Sequence, residues 1–275
     1  MYELNRREFD LFRKFIFERS GISLNDSKLE LVRARLVKRL RRLNIPTFKQ
    51  YYKLVSDHPD EPEVYNMLDA ITTNQTSFFR EPKHFVFLNE TVLPQLLEEK
   101  EKKRNKIFKV WSAGCSTGEE PFSIAVTLLE FLENRSEYDI KILATDLSLQ
   151  VLNTAARGIY EKNQLKNISL QTLKKYFLRG EKEWKNFYKI KPILSKIVQF
   201  KRFNLMENHF PFSSSFDIIF CRNVMIYFDK KTQETLINKY YSALSPSHYL
   251  FIGHSESLMS INHKFHYVQP TIYRK

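Results

Sequence analysis

Apolar positions early in the chain recur with the period of a helix. Phe9, Phe12, Phe15 and Ile16 share one face before Ser20-Gly21 stops the pattern, and Leu29, Val32, Leu36, Leu40 and Leu43 form the stripe of a second helix. Tyr51, Tyr52, Leu54 and Val55, then Val64, Met67, Leu68 and Ile71, carry the same period across a Pro59/Pro62 turn. Residues 1–72 therefore read as a small all-α domain. Residues 73–100 read as a connector, polar and then aromatic, followed by a linker helix through Phe85, Leu88, Val92 and Leu96.

From residue 101 to 275 the pattern changes. Short apolar runs at 107–112, 140–144, 198–203, 216–220 and 249–252 alternate with helical stretches at 121–132, 149–157 and 232–244. Such alternation predicts an α/β domain with a parallel sheet and crossover helices. Runs at 265–268 and 271–273, split by Gln269-Pro270, predict a terminal hairpin at the sheet edge. Between about 160 and 196 the alternation lapses into basic, aromatic-rich sequence, which reads as an insertion.

Composition narrows the class. With 275 residues and 43% hydrophobic content the chain can bury a full core and carry a smaller companion domain. No apolar run approaches the roughly 20 residues of a membrane span, and the N-terminal run through Arg7 lacks the apolar core of a signal peptide. Two cysteines, Cys115 and Cys221, fit reduced thiols in the cytoplasm. The net charge of +13 reflects a partner, a tail or nothing in particular; nucleic acid and an acidic protein surface are the partners it would attract. Arg35, Lys38, Arg39 and Arg42 crowd one side of the second helix, and Glu30 is the only acidic residue between Lys28 and Lys53. The face is either an ordinary solvated one or a dock for an external anion.

The chemistry concentrates at strand ends. Lys109-Val110-Trp111-Ser112-Ala113-Gly114-Cys115-Ser116-Thr117-Gly118-Glu119-Glu120-Pro121 runs from a strand through a glycine loop into a helix. A helix N-terminus carries about half a positive charge and welcomes phosphate, which Glu119 and Glu120 in its first turn would repel. They suit a cationic ligand. S-adenosylmethionine has an ammonium, a sulfonium and an adenosine but no phosphate, so the pattern points to a methyltransferase. A dinucleotide site lacks its Gly-x-Gly-x-x-Gly, and a P-loop lacks Gly-Lys-Ser/Thr. Gly114 permits close approach, Asp146 ends the second strand where a carboxylate can accept ribose hydroxyls, and Asn204-Leu205 and Arg222-Asn223 end the next two. Each alone reads equally as a turn residue. The histidines form no paired-ligand motif, so no metal is expected, and Cys115 and Cys221 read as packing residues.

Five blocks resemble the CheR-type chemotaxis receptor methyltransferases: Thr72–Glu81, Trp111–Ala125, Ala144–Asp146 with Ala156–Tyr160, Phe216–Asp229, and Gly253-His254-Ser255-Glu256-Ser257. The resemblance implies a Rossmann-like class I S-adenosylmethionine-dependent methyltransferase sheet, with a small all-α N-terminal domain and a small antiparallel β insertion. It implies methyl transfer from S-adenosylmethionine to glutamate carboxylates on the cytoplasmic domain of membrane chemoreceptors, without nucleic acid, metal or membrane insertion, by an enzyme recruited to receptor arrays. Asn74, Thr76 and Arg80 would close over the cofactor, Glu119 or Glu120 would take its ammonium, and Asp146 the ribose. Asn204, Leu205, Arg222 and Asn223 would line the rest. The helical domain would face the receptor through Arg35, Lys38, Arg39 and Arg42, and the insertion docks a receptor C-terminal peptide in some members. Two other readings compete: an RNA methyltransferase, suggested by the charge, and a non-catalytic S-adenosylmethionine sensor.

Overall fold

The computed structural model describes residues 2–212 and 215–275. Helices α1 (Arg6–Ser20), α2 (Leu29–Arg42), α3 (Phe48–Asp57) and α4 (Pro62–Ile71) enclose a core of their own around Phe9, Phe12, Leu36, Tyr51 and Met67. A capping box at Asn5 and Glu8 starts α1, and Gly21 ends it in left-handed backbone. The linker helix is continuous from α5 (Pro82–Phe87) through a π turn to α6 (Leu93–Lys102).

Beyond it lie β1 (Ile107–Ala113), α7 (Glu119–Phe131), β2 (Asp139–Asp146) and α8 (Leu149–Arg157). The insertion holds β3 (Ile159–Glu161), α9 (Leu170–Tyr176), β4 (Phe177–Arg179), β5 (Phe187–Ile190) and α10 (Pro192–Ser195), its strands forming an antiparallel sheet in the order β3-β5-β4. Then come β6 (Val198–Arg202), β7 (Phe216–Cys221), α11 (Lys230–Ala243), β8 (Leu244–Ile252), β9 (His266–Gln269) and β10 (Ile272–Arg274). The main sheet has the order β6-β2-β1-β7-β8-β10-β9, parallel except where β10 pairs with β8 and β9. Strand order reverses between β1 and β7, which opens a crevice at their C-terminal ends.

Both faces of the sheet are covered, so its central strands are mostly apolar on both faces rather than alternating. Phe108, Val110, Ile218 and Phe220 face α7 and the linker helix, whereas Trp111, Ile219 and Cys221 face α11. Trp111 is fully buried with its ring centroid 4.8 to 6.1 Å from those of Phe203, Phe210, Phe212, Phe216 and Tyr240, and its Nε1 donates to Thr145 Oγ1 at 2.9 Å. Truncating it to alanine would cost about 4 kcal/mol by cavity formation. One extension was not read from the sequence. β8 begins at Leu244, directly off α11, because Leu244 pairs with Phe216 ahead of a register shift.

The helical segment is stitched onto the crevice. Ile22 bridges Phe228, Ser23 N donates to Tyr227 O at 2.7 Å, and Asn204 Nδ2 donates to Arg19 O at 2.8 Å. Arg202 lies over the Tyr65 ring at 3.5 Å.

Candidate active site

A cavity occupies the crevice. Its floor is the glycine loop after β1. Gly114 sits at φ 91, and a Cβ there would lie 2.3 Å from Val224 Cγ2, so the loops after β1 and β7 meet without room for a side chain. Ser116 N and Ser148 N donate to the two Asp146 oxygens at 2.9 and 3.0 Å, which aims that carboxylate along the cavity wall. Burial pushes the Asp146 carboxyl above its ordinary range, with the backbone bonds from Ser148 and Ser116 pulling it back.

The connector forms the roof. Ser116 Oγ donates to Asn74 O at 2.9 Å, Ser123 Oγ accepts from Phe79 N at 2.9 Å, and Arg80 donates to Gln75 O at 2.8 Å. Phe79 and Glu81 both adopt left-handed backbone, a costly conformation that these flanking bonds stabilise. Tyr227 closes the side by donating its hydroxyl to Thr73 O at 3.2 Å.

A buried polar cluster fixes the roof to the floor. Arg222 Nε donates to Glu120 Oε2 at 2.8 Å, and its terminal nitrogen donates to Arg80 O at 2.6 Å and to His84 Nδ1 at 3.2 Å. Ser112 Oγ donates to the other Glu120 oxygen at 2.7 Å. Burial first, then Arg222 and His254, pushes the His84 imidazole down to about 3. The ring is therefore neutral, with Nδ1 accepting from Arg222 and Nε2 donating to Thr271 Oγ1 at 2.7 Å. Glu81, His84 and His254 converge closely enough to suggest a metal site. The Arg222 guanidinium stands 3.4 Å from Glu81 Oε2, so the cluster already contains its cation.

Ten of the residues singled out from the sequence line the cavity: Asn74, Thr76, Arg80, Gly114, Glu120, Asp146, Asn204, Leu205, Arg222 and Asn223. Glu119 does not. Its carboxylate accepts from Thr117 Oγ1 at 2.6 Å and Gln164 Nε2 at 3.3 Å on the insertion side, and burial pushes it above the usual range. Asn204 lines the wall, yet its amide is engaged at both ends, by Arg19 O and Met206 N. Ser20 and Ile22 of the helical segment also reach the cavity and carried no chemical signal in the sequence.

The basic face of α2 departs further from expectation. Arg35, Lys38, Arg39 and Arg42 do line one groove. Arg35, however, donates to the carbonyls of Ile71 and Thr72 and to Thr73 Oγ1, and so holds the start of the connector. Arg39 pairs with buried Glu63, which also accepts from Tyr51 Oη at 2.7 Å. Lys38 and Arg42 are exposed.

Residues 7–72 match the CheR methyltransferase all-alpha domain, and residues 74–274 match the CheR methyltransferase SAM binding domain. The chain is similar to proteins named chemotaxis protein methyltransferase. One from Borreliella burgdorferi is 42% identical over 275 residues, covering 99% of this chain and 95% of that one. Another, from Salmonella typhimurium, is 38% identical over 98% of this chain and 90% of its own. A third, from Escherichia coli, is 37% identical over 98% and 91%. Among the described residues no helix is long and apolar enough to cross a membrane. A strand-end cavity walled by two acidic residues thus sits in a chain matched over both its segments, and this chain belongs to the CheR methyltransferase family, the S-adenosylmethionine-dependent methyltransferases of chemotactic adaptation.

Proposed function

We propose that the protein transfers methyl groups to glutamate side-chain carboxylates on the cytoplasmic domain of chemoreceptors, giving glutamyl methyl esters and S-adenosylhomocysteine, in the cytoplasm at receptor arrays. The observation that carries this reading is the character of the cavity wall. Glu120 and Asp146 supply carboxylates, and among the described lining residues there is no histidine, cysteine or lysine to act as base or nucleophile. A glutamate substrate needs neither, since its pKa near 4.3 delivers it already ionised.

The donor set fits S-adenosylmethionine, which when bound supplies an electrophilic methyl on a sulfonium. Glu120 is the residue for its ammonium, Asp146 for its ribose, and Leu205 and Asn223 for the adenosine and methionine flanks. Asn74, Thr76 and Arg80 would close the roof over it and exclude water from the reacting groups. Arg222 and Asn204 act through what they hold: Glu120 and the connector for one, the helical segment for the other. Tyr227 stands where it can orient the incoming carboxylate. In this reading residues 1–72 face the receptor together with the basic insertion, 73–100 connect, 101–275 bind the cofactor, and no metal takes part.

The test uses labelled S-adenosylmethionine and the cytoplasmic fragment of a cognate receptor, with RNA in parallel. Label on the receptor that is released by mild alkali is the expected result, and it should vanish in Asp146→Asn. Alkali-stable label, or label on RNA, would refute the ester. Cofactor binding without transfer to either would leave a sensor.

A further inference from the structure

Gly253-His254-Ser255-Glu256-Ser257 contributes no residue to the cavity lining. It lies directly behind a loop that does. β7 runs out into Arg222-Asn223-Val224 and the turn Met225–Tyr227, with Asn223 in left-handed backbone at φ 59. The backbone N–H groups of this loop turn toward one carboxylate. Glu256 Oε2 accepts from Asn223 N at 3.0 Å and also from Gly253 N, and Oε1 accepts from Ile226 N at 3.3 Å. Glu256 N in turn donates to Gly253 O at 2.9 Å, closing the turn. Glu256 is 7% exposed; burial pushes its carboxyl above the ordinary range, and the backbone N–H groups of Gly253, Asn223 and Ile226 pull it back.

Gly253 serves the same end. A Cβ there would lie 2.6 Å from Asn223 N and 2.5 Å from Asn223 Nδ2, so only glycine lets the loop settle against the turn. From the other side Glu81 Oε1 accepts from Asn223 Nδ2 at 3.4 Å and from His254 N at 3.0 Å. The loop carrying Asn223 and Tyr227 is thereby clamped between two carboxylates.

We propose that Glu256 and Gly253 are positioning residues for methyl transfer, moulding the loop so that Asn223 and Tyr227 face the cavity. The inference rests on assigning that cavity to S-adenosylmethionine. A carboxylate is required because its two oxygens accept from donors on both sides. Glutamine has one acceptor oxygen and turns an N–H₂ toward an N–H.

The test compares Glu256→Gln, Gly253→Ala and Asn223→Ala in the full chain. It measures kcat and the KM values for S-adenosylmethionine and receptor, calorimetric binding of S-adenosylhomocysteine, and folded fraction by circular dichroism. All three should raise the KM for S-adenosylmethionine and lower kcat, with kcat/KM for S-adenosylmethionine down by about a hundredfold, as displacements of about 1 Å do. If Asn223→Ala weakens cofactor binding while Glu256→Gln and Gly253→Ala behave as wild type, the positioning role is wrong and the site assignment stands. If Asn223→Ala also binds normally, the site assignment itself fails. Activity falling only in proportion to folded fraction, with KM constant, would make the turn merely structural and overturn the proposal. Should Glu256→Gln not fold, Gly253→Ala decides alone, since it leaves the carboxylate in place.

Discussion

In the helical segment, 1–72, fourteen Lys and Arg stand against eleven acidic residues, whereas in the insertion, 160–196, ten stand against three. In the helical segment six of the cations lie close together on α2. Several are internal ties: Arg39 to Glu63, Arg35 to the connector carbonyls, Arg6 and Arg13 to Asp26. In the insertion, Lys182, Lys185 and Lys189 are exposed and, among the described residues, in no salt bridge. A run of like charge along a helix therefore says little about docking until its partners are known, since those partners lie 13 to 38 residues away in sequence.

The comparison can be broken most sharply at Arg39. If its charge is structural, Arg39→Ala leaves Glu63 buried and unpaired, and urea unfolding should show a loss of about 3 kcal/mol. A loss confined to receptor KM would return Arg39 to the docking face. His84 gives a contrasting case of a buried group without charge. With its imidazole pushed down to about 3, the folded state refuses a proton that the unfolded chain takes up below about pH 6.5. Its contribution is whole above that pH and falls as pH drops, by about 2 kcal/mol at pH 5. His84→Gln should flatten that limb of the stability profile, and an unchanged slope would place it elsewhere.

Smaller effects sharpen the same contrast. Arg35→Ala should cost about 1 kcal/mol of stability and raise the KM for S-adenosylmethionine, because the connector loses its anchor. A rise in receptor KM alone would contradict this. The exposed sets should leave stability within about 0.5 kcal/mol. Charge reversal of Lys185 and Lys189 should raise receptor KM at low salt more than reversal of Lys38 and Arg42, both effects fading as salt rises. The opposite ranking would make the α2 face the steering surface after all.

Much of the cavity lining was legible because it is local in sequence. Gly114, Asp146 and Arg222-Asn223 fall at strand ends, and alternation of strands and helices places strand ends together. The choice between Glu119 and Glu120 was not legible. Neighbours on a helix point about 100° apart, and the side chains that sort them, Gln164 beside Glu119 and Arg222 beside Glu120, are distant in sequence. Asn204 looked like the other strand-end polar residues until its amide met Arg19. Ser20 and Ile22 were invisible because a helix end and an isolated apolar residue carry no chemical signature. The Gly253–Ser257 block could be noticed but not explained, since what it supports is backbone, which no side-chain pattern announces.

The stitching of Ile22 to Phe228, Ser23 to Tyr227 and Asn204 to Arg19 bears on engineering. Receptor preference invites a graft in which one relative's helical segment replaces another's at the connector. Here the cut would run through the wall of the crevice cavity, so a chimaera that exchanges residues 1–72 must carry matching residues at 204 and 227–228 with it. What looks like a detachable adaptor is one wall of that cavity.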